Sequence, residues 1–516
     1  MPFSRSTQPF FYQSGVSETV ERLASQDSLV IYAGAGVSID RTGLSWAGLV
    51  DALLKPHMEQ YDDDRDGLQR AAIMHANTPV QAASVVSEKY AAHSGEEWRA
   101  EVVDRLRTLL YVTRYWQRGE LISAIVRLAA AFSALDRKFY IVTTNYDEFV
   151  QREVEKLVQS NGIELNLATS VVDHSRQDED FLAHTAPYQV VHLHGHVPKS
   201  GSNGSQDIIL SETDYMRSQP LSSKILKALF DKRSVLILGS SLTDQPLLEA
   251  LAATRSTKPG APPRVAVTAL QSLDLPGDTD KIIDVVQDSI RLRMRQFDTE
   301  VVFPDFYCQI PQLLNELVVR ATSASTPVGY ARRIEKWWSA WWRIRWVQQR
   351  QVQQFDHEYL ERCLPRIRQI LGSTDEVLKL ETWIRWEPGR QSRQLRLWAS
   401  STGTAPDIKT MRCAEIEANS PNASVRAFCL GRPEIYPTSG DDSAGLLSDR
   451  WQTYLCVPVR IVADGGELPI AVVSLGTMNP KAKSKINEGN GAALQQVVGQ
   501  MLEIGQNVAT VDRTGR

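Results

Sequence analysis

The segment Ser28-Leu-Val-Ile-Tyr-Ala-Gly-Ala-Gly-Val-Ser38 decides the fold class of this chain. Its first six residues form a nearly continuous apolar run, which is typical of a buried strand with both faces covered. The glycine turn that follows, 34–36, brings backbone N–H groups to the end of the strand, where a phosphate can approach, and the Ser38 hydroxyl can add a donor. An ordinary tight turn explains the glycines equally well when they are taken alone.

Similar apolar runs recur over the first 320 residues, and segments with helical periodicity lie between them. This alternation predicts an α/β domain built on a doubly wound parallel sheet. The further strand runs are 139–144, 188–193, 235–239, 264–270 and 300–303, and the clearest helical segments are 101–110, 120–135 and 221–230.

The second part of the chain has a different pattern. Residues 321–327 (ATSASTP) are small and polar and predict a linker. The Trp-rich stretch 330–355 predicts a connecting helix packed between domains, in preference to a membrane-surface helix. After it, helices and strands alternate as in an α+β domain on an antiparallel sheet. The predicted division is an N-terminal segment (1–27), an α/β domain (28–320), a linker with its helix (321–355) and an α+β domain (356–516).

Composition narrows the class of protein. The 516 residues carry 57 Lys and Arg against 61 Asp and Glu, a net charge of −4 that gives no global reason to bind nucleic acid or an anionic membrane. Five cysteines without a CxxC spacing predict neither a disulfide framework nor a zinc ribbon, and they fit a reducing cytoplasm. The sequence has no signal-peptide core and no apolar run of about 18 residues, so neither export nor membrane spanning is expected.

Polar residues follow the predicted strand at 139–144. Asn145 offers an amide donor and acceptor, and Asp147 offers a carboxylate, where an open α/β sheet presents its ligand-facing residues. The alternative is that both residues cap the helix that starts near Glu148.

Three histidines alternate at the end of the strand at 188–193. Alternation places His192, His194 and His196 on one face of an extended chain, so a metal site is one interpretation. No fitting Cys or carboxylate partner lies nearby, so we predict no metal. His194, followed by Gly195, is the better candidate for proton transfer.

Four motifs, in this order and each at a strand end, resemble the sirtuin superfamily. They are Gly34-Ala35-Gly36-Val37-Ser38, Thr144-Asn145-Tyr146-Asp147, Leu193-His194-Gly195 and Leu238-Gly239-Ser240-Ser241-Leu242. The resemblance covers residues 20–315 and implies a Rossmann-like sheet that binds NAD in an inverted conformation at its switch point. It further implies that the bond between nicotinamide and ribose is broken, with Asn145 and His194 at that centre.

Two departures separate the chain from the protein deacylases of this superfamily. Gly43-Leu44-Ser45-Trp46 stands where those enzymes have Asp-Phe-Arg, and no cysteine precedes position 308, so their four-cysteine zinc module is missing. The chain resembles instead a bacterial sirtuin-like branch with Gly-Leu-Ser-Trp and Gly-Ser-Ser-Leu-Thr-Asp (239–244), whose members typically hydrolyse NAD to nicotinamide and ADP-ribose in antiphage defence.

This resemblance implies a role for each site residue. Asn145 would position the attacking water or the ribose, and His194 would accept a proton from either. The other predicted residues would bind NAD, with the diphosphate on the glycine turn, while those of the later loop would contact the adenosine-side ribose or brace that loop, and Asp244 fits a helix N-cap equally well. These residues are Gly34, Ala35, Gly36, Ser38, Asp147, Gly239, Ser240, Ser241 and Asp244.

The second domain resembles a GAF domain over residues 356–510. The resemblance rests on 425–436 (VRAFCLGRPEIY), 451–459 (WQTYLCVPV), 465–475 (GGELPIAVVSL) and the final helix. GAF domains bind small molecules or dimerise, so the resemblance implies a small-molecule or phage-derived trigger at this domain and a homo-oligomer. The resulting hypothesis is a cytoplasmic NAD glycohydrolase of abortive infection, gated by its second domain. The alternatives are a non-enzymatic sensor of NAD or ADP-ribose and an ADP-ribosyltransferase.

Overall fold

The computed structural model describes residues 10, 14–58, 65–112, 120–162, 165–174, 188–201, 208–256, 260–269, 279–304, 307, 309–323, 343, 349–385, 394–403, 411–416, 420–437, 451–463 and 466–509. Most of the Trp-rich stretch 330–355, and residues 202–207 of the loop near Lys199, lie outside this part of the chain. The predicted connecting helix therefore stays a prediction over 330–348.

A seven-stranded parallel sheet forms the core of the first domain and confirms the predicted fold class. Its order is β3-β4-β2-β1-β5-β6-β7, so the direction of winding reverses at β1. The strands are β1 (Ser28–Ala33), β2 (Lys138–Thr143), β3 (Ala168–Val171), β4 (Tyr188–His192), β5 (Ser234–Leu238), β6 (Arg264–Val267) and β7 (Glu300–Val302).

Helices cover both faces of this sheet, which explains why the strands read as continuous apolar runs. The helices of the first domain are α1 (Ser14–Ala24), α2 (Ile39–Thr42), α3 (Trp46–Leu54), α4 (Arg65–Ala76), α5 (Pro79–Ser94), α6 (Trp98–Leu110), α7 (Glu120–Ala134), α8 (Phe149–Asn161), α9 (Glu212–Phe230), α10 (Gln245–Ala253), α11 (Thr279–Arg295) and α12 (Gln309–Thr322). One face packs against α1, α7, α8 and α12, and the other against α9, α10 and α11.

A helical insertion, α3 to α6, lies between β1 and β2 in sequence. It has its own apolar cluster, which also takes in Tyr146, Val197, Ile208 and Leu210 from the loops at the carboxyl ends of the strands. The insertion therefore packs against the loops at the carboxyl edge of the sheet, which is the edge that carries the four sequence motifs.

The second domain has a six-stranded antiparallel sheet, as the α+β prediction required. Its order is β10-β9-β8-β13-β12-β11, and α13 and α15 pack on one face while α14 packs on the other. The elements are α13 (Gln349–Leu371), β8 (Leu378–Arg385), β9 (Gln394–Ser400), β10 (Cys413–Glu415), α14 (Ala423–Leu430), β11 (Glu434–Pro437), β12 (Thr453–Ala463), β13 (Gly466–Thr477) and α15 (Gly491–Ala509).

Three short edge strands are among the elements that the sequence pattern did not predict. Strands β3, β10 and β11 have three or four residues each and lie at or next to sheet edges. So short a stretch gives too little alternation to be recognised. No helix within the described residues is long and apolar enough to cross a membrane.

Candidate active site

The first three motifs meet because β1, β2 and β4 are neighbours in register. Ala33 lies opposite Thr143, and Thr143 lies opposite His192. Asn145 and His194 each follow two residues beyond this last pair, and adjacent strands are about 4.8 Å apart. The structure therefore places the two predicted catalytic residues at the carboxyl ends of adjacent strands.

The glycines of the first and fourth motifs are required by the close approach of two loops. The Gly34 and Gly36 amides donate to Leu238 O and Gly239 O, both at 2.9 Å. A Cβ on Gly34 would lie 2.6 Å from Gly239 O, and one on Gly239, whose φ is 62°, would lie 2.5 Å from Val37 N. Two amides expected to face a phosphate are thus used within the protein, which differs from the expectation for this turn.

Asn145 is fixed by four hydrogen bonds. Its Nδ2 donates to Gly34 O and to Ser38 Oγ, both at 3.0 Å, and its backbone N–H donates to Thr143 Oγ1. Its backbone oxygen accepts from His192 Nδ1 at 3.0 Å. Asn145 Oδ1 accepts no hydrogen bond from any described residue, so this oxygen is the atom that the side chain can offer to a ligand.

Ser38 and Asp147 are both buried, and the Ser38 hydroxyl connects Asp147 to Asn145. Ser38 Oγ donates to Asp147 Oδ2 at 2.7 Å, and Asp147 Oδ1 accepts from the Phe149 amide. Burial raises the pKa of the Asp147 carboxyl, although the hydrogen bonds from Ser38 and Phe149 oppose the shift. Ser38 thus connects Asn145 to Asp147, and Asp147 Oδ1 reaches the first residue of α8. Neither Asn145 nor Asp147 is the N-cap residue of this helix, which is Glu148.

His192 is a structural residue in this site. Its Nδ1 must donate to Asn145 O, because a carbonyl oxygen can only accept, so its Nε2 accepts from Gln151 Nε2 at 2.8 Å. Burial, followed by the neighbouring His196, lowers the pKa of His192 to about 3. A neutral His192 therefore links α8 to the backbone of Asn145.

His194 is buried, with 3% of its surface exposed, and lies before Gly195, whose φ is 97°. Its Nδ1 is 3.4 Å from the hydroxyl of Tyr215 on α9. Burial, followed by His174, lowers its pKa to about 3, so the imidazole is neutral and able to accept a proton. Its Nε2 makes no hydrogen bond to any residue that the structure describes.

The structure gives different roles to the three predicted polar residues of the loop after β5. Ser240 Oγ accepts from the Leu242 amide, and the exposed Ser241 hydroxyl pairs with Thr243. Asp244 caps α10 through the Leu247 amide, and its Oδ2 also accepts from Tyr32 at 2.7 Å. Asp244 is therefore the N-cap residue of α10, which was the alternative interpretation of this residue from the sequence.

Sequence reasoning missed Tyr32, Tyr215 and Gln151 as parts of this site. Tyr215 comes directly after a capping box, Ser211 to Asp214, so its place in the first turn of a helix could have been found. Its contact with His194 could not, because the two residues are 21 positions apart in sequence and the path of the loop between them is not a local property. Within the described residues no group of three or more His, Cys, Asp or Glu could hold a metal ion.

Comparison with known proteins bears on the middle of the first domain. Residues 140–285 match the family described as the SIR2-like domain. Part of the first domain is similar to a SIR2-like domain. The matched stretch includes Asn145, His194, Gly239 and Asp244 but not the glycine turn at 34–36. This similarity supports a sirtuin-like first domain.

Two further comparisons give no additional support for a fold or a function. A search of curated proteins finds no match. A solved structure titled "Structural Basis for the Mechanism and Regulation of Sir2 Enzymes" is 13% identical, covers 60% of this chain and 99% of its own, and has a TM-score of 0.28. A TM-score this low carries no weight for the fold.

Proposed function

We propose that the first domain is an NAD glycohydrolase that cleaves NAD+ to nicotinamide and ADP-ribose. One observation carries this proposal: a fixed amide oxygen, Asn145 Oδ1, and a neutral imidazole, His194, follow two adjacent strands at the carboxyl edge of a doubly wound sheet. A pocket that only binds a nucleotide has no need for a proton acceptor at this place.

The hydrogen-bond acceptors of this site suit the hydroxyls of the ribose beside the scissile bond. Asn145 Oδ1 can accept a hydrogen bond from a hydroxyl or a water, and His194 can do the same through a ring nitrogen. His196 Nε2 is also buried without a hydrogen-bond partner in the described structure, and its ring lies 4.6 Å from that of His192. A hydroxyl-rich ligand would satisfy these atoms.

The reaction breaks the C1′–N bond, and the bonding electron pair leaves with nicotinamide. Positive charge develops at C1′, and the oxygen of a water forms the new bond. Asn145 Oδ1 positions that water or the ribose, and His194 takes the proton from the water or from a ribose hydroxyl. His194 is neutral before the reaction, as a proton acceptor must be, although the same burial disfavours the imidazolium that the step forms.

The NAD diphosphate would lie over the turn at Gly34, Ala35 and Gly36. Because the Gly34 and Gly36 amides are already used, we assign the remaining contacts to side-chain hydroxyls and to Ala35. Ser240 and the exposed Ser241 lie on the facing loop and would reach the adenosine-side ribose.

The second domain would act as a gate, because it contacts the segment after the glycine turn. Arg432 Nη1 donates to Ile39 O at 2.7 Å, and Arg460 pairs with Glu120 at the start of α7. Asp40, next to Ile39, accepts from the Leu121 amide through Oδ2, while its buried Oδ1 has no hydrogen-bond partner among the described residues. Burial raises the pKa of Asp40 to about 6, against the attraction of nearby arginines that include Arg432 and Arg460.

These contacts fit an enzyme that is latent until a trigger binds, and the sequence resemblance implies that such an enzyme acts in abortive infection. The trigger would be a small molecule or a phage product at the GAF-like second domain, and the active form would be a homo-oligomer in the cytoplasm. Allostery of this kind requires the trigger to bind more tightly to the active arrangement. NAD depletion would then stop the infected cell.

The test is nicotinamide release from NAD+ by the full chain, with and without lysate from phage-infected cells. Asn145→Ala and His194→Ala should each lower release by about a hundredfold or more, since each removes a group that acts on the reacting atoms. His75→Ala, which changes an exposed histidine on α4, is the matched control and should retain full release.

Other outcomes select the alternatives. NAD binding without release under both conditions would favour the non-enzymatic sensor. Nicotinamide release with ADP-ribose recovered on protein or nucleic acid would favour the ADP-ribosyltransferase.

A further inference from the structure

Among the described residues, Tyr215 is the only one whose side chain makes a hydrogen bond to the imidazole of His194. The phenol oxygen is 3.4 Å from His194 Nδ1, and the two rings meet edge to face with their centroids 4.9 Å apart. Catalytic hydrogen bonds are often long before the substrate binds and shorten in the complex. The contact is therefore one that NAD binding can tighten.

The helix that carries Tyr215 is firmly held at this end. Ser211 and Asp214 form a capping box at the start of α9. Asp214 also pairs with Arg99 of α6 at 2.7 Å, and Arg99 donates to Ile208 O at 3.0 Å. Tyr215 follows Asp214 directly, so its backbone is fixed against the helical insertion.

A neutral histidine has one ring N–H, and the hydrogen bond at one nitrogen determines what the other can do. If Tyr215 accepts from Nδ1–H, then Nε2 is free to accept a proton. If Tyr215 donates to Nδ1, then Nε2 carries the hydrogen and cannot act as a base. The orientation of one phenol hydrogen therefore decides whether His194 can perform the proposed proton transfer.

The surrounding charges favour the first arrangement. Burial raises the pKa of Tyr215, and the carboxylates of Asp244 and Asp214 raise it further. The same Asp244 accepts the hydroxyl hydrogen of Tyr32, whose pKa is also raised by burial and by Asp244. A hydroxyl dipole in the field of a carboxylate turns its hydrogen toward that charge. An oxygen lone pair of Tyr215 is then left for His194 Nδ1.

We propose that Tyr215 is a positioning residue that holds His194 as the Nδ1–H tautomer and so leaves Nε2 as the proton acceptor. The inference rests on the proposed function, since it assigns the base of that reaction to one ring nitrogen. During the reaction Nε2 gains the proton, Nδ1 keeps its own, and the Tyr215 oxygen stabilises the resulting imidazolium.

The first measurement does not depend on activity. Long-range ¹H–¹⁵N spectra of the full chain with ¹⁵N-labelled histidine distinguish the two tautomers, and the His194 signals are identified by their loss in His194→Gln. We expect the Nδ1–H tautomer in the native chain and a shift toward Nε2–H in Tyr215→Phe. Asp244→Asn keeps a residue that can cap α10 but removes the charge, and it should shift the tautomer in the same direction.

The second measurement is steady-state nicotinamide release. Tyr215→Phe should lower kcat by about tenfold or more while changing KM by less than about threefold, because a partner of a catalytic group is lost and the NAD pocket is kept. Tyr90→Phe is the matched control, since it removes another buried phenol hydrogen bond, to Leu53 O, away from the site. It should leave both kcat and the tautomer unchanged.

The outcomes separate this inference from the function on which it rests. An Nε2–H tautomer in the native chain, or an unchanged tautomer and kcat in Tyr215→Phe, would overturn the role of Tyr215 even if NAD is hydrolysed. An Nδ1–H tautomer that is lost in Tyr215→Phe, with no nicotinamide release by the native chain either with or without infected lysate, would overturn the glycohydrolase and leave the positioning contact supported.

Discussion

Ser38 joins the two polar residues of the second motif, and it was expected to bind NAD. Its Oγ accepts from Asn145 Nδ2 and donates to Asp147 Oδ2. Ser38→Ala should therefore lower kcat for nicotinamide release by about tenfold, because Asn145 loses one of the two bonds that orient its amide. It should also lower the free energy of unfolding by about 1–3 kcal/mol, because Asp147 loses a donor in a buried place.

Ser87→Ala is the control for this prediction. Ser87 is equally buried, and its Oγ donates to Ala83 O within α5, away from the strand ends. Its kcat should match that of the native chain. A Ser38→Ala variant with full kcat would show that Asn145 is oriented without the Ser38 hydroxyl.

At the scale of elements, the contact between the turns after β1 and β5 determines the shape of the site. Gly239→Ala should abolish NAD binding, because the new Cβ would lie 2.5 Å from Val37 N and 2.7 Å from Gly36 C, both backbone atoms. The turns must separate, and the glycine turn would move away from Asn145. The measurement is NAD affinity by calorimetry on folded protein.

Gly162→Ala is the control that distinguishes the effect of the steric clash from the effect of a positive φ. Gly162 ends α8 with a φ of 63°, close to the 62° of Gly239, but a Cβ there meets nothing within 4 Å. It should cost about 1–2 kcal/mol of stability from the positive φ alone and leave NAD affinity unchanged. Equal NAD affinity in the two variants would contradict the role given to the contact.

At the scale of the whole molecule, the prediction concerns the contact between the two domains. Arg432→Ala removes the donor to Ile39 O, and Arg460→Ala removes the partner of Glu120. If these contacts hold the first domain in its latent state, the double variant should raise release without a trigger by about fivefold or more. The measurement is the basal rate of nicotinamide release at fixed NAD.

Arg366→Ala is the control, because Arg366 is an exposed arginine of α13 in the second domain. It should leave the basal rate unchanged. An unchanged rate in the double variant, together with activation of the native chain by infected lysate, would mean that the gate acts through another surface.

Much of the fold could be predicted because long apolar runs and helical periodicity are local properties of the chain. Strands β1, β2, β4 and β5 begin and end within one residue of their predicted bounds. The insertion α3 to α6 was predicted only at α6, since its apolar residues face a small cluster of its own and leave a weaker pattern. Asn145 and His194 could be singled out because an open α/β sheet presents its ligand-facing residues at the carboxyl ends of its strands.

The sequence by itself determined the two kinds of sheet, the order of the motifs and the strand end that carries each site residue. Only the tertiary structure decided which atoms of those residues are free. In the folded protein the amides of Gly34 and Gly36 donate to the loop after β5, and Ser38 connects Asn145 to Asp147. Tyr215 lies within hydrogen-bond distance of His194. The physical reason is that hydrogen bonds between distant segments depend on how the elements pack, and this information is spread over the whole chain rather than any one motif.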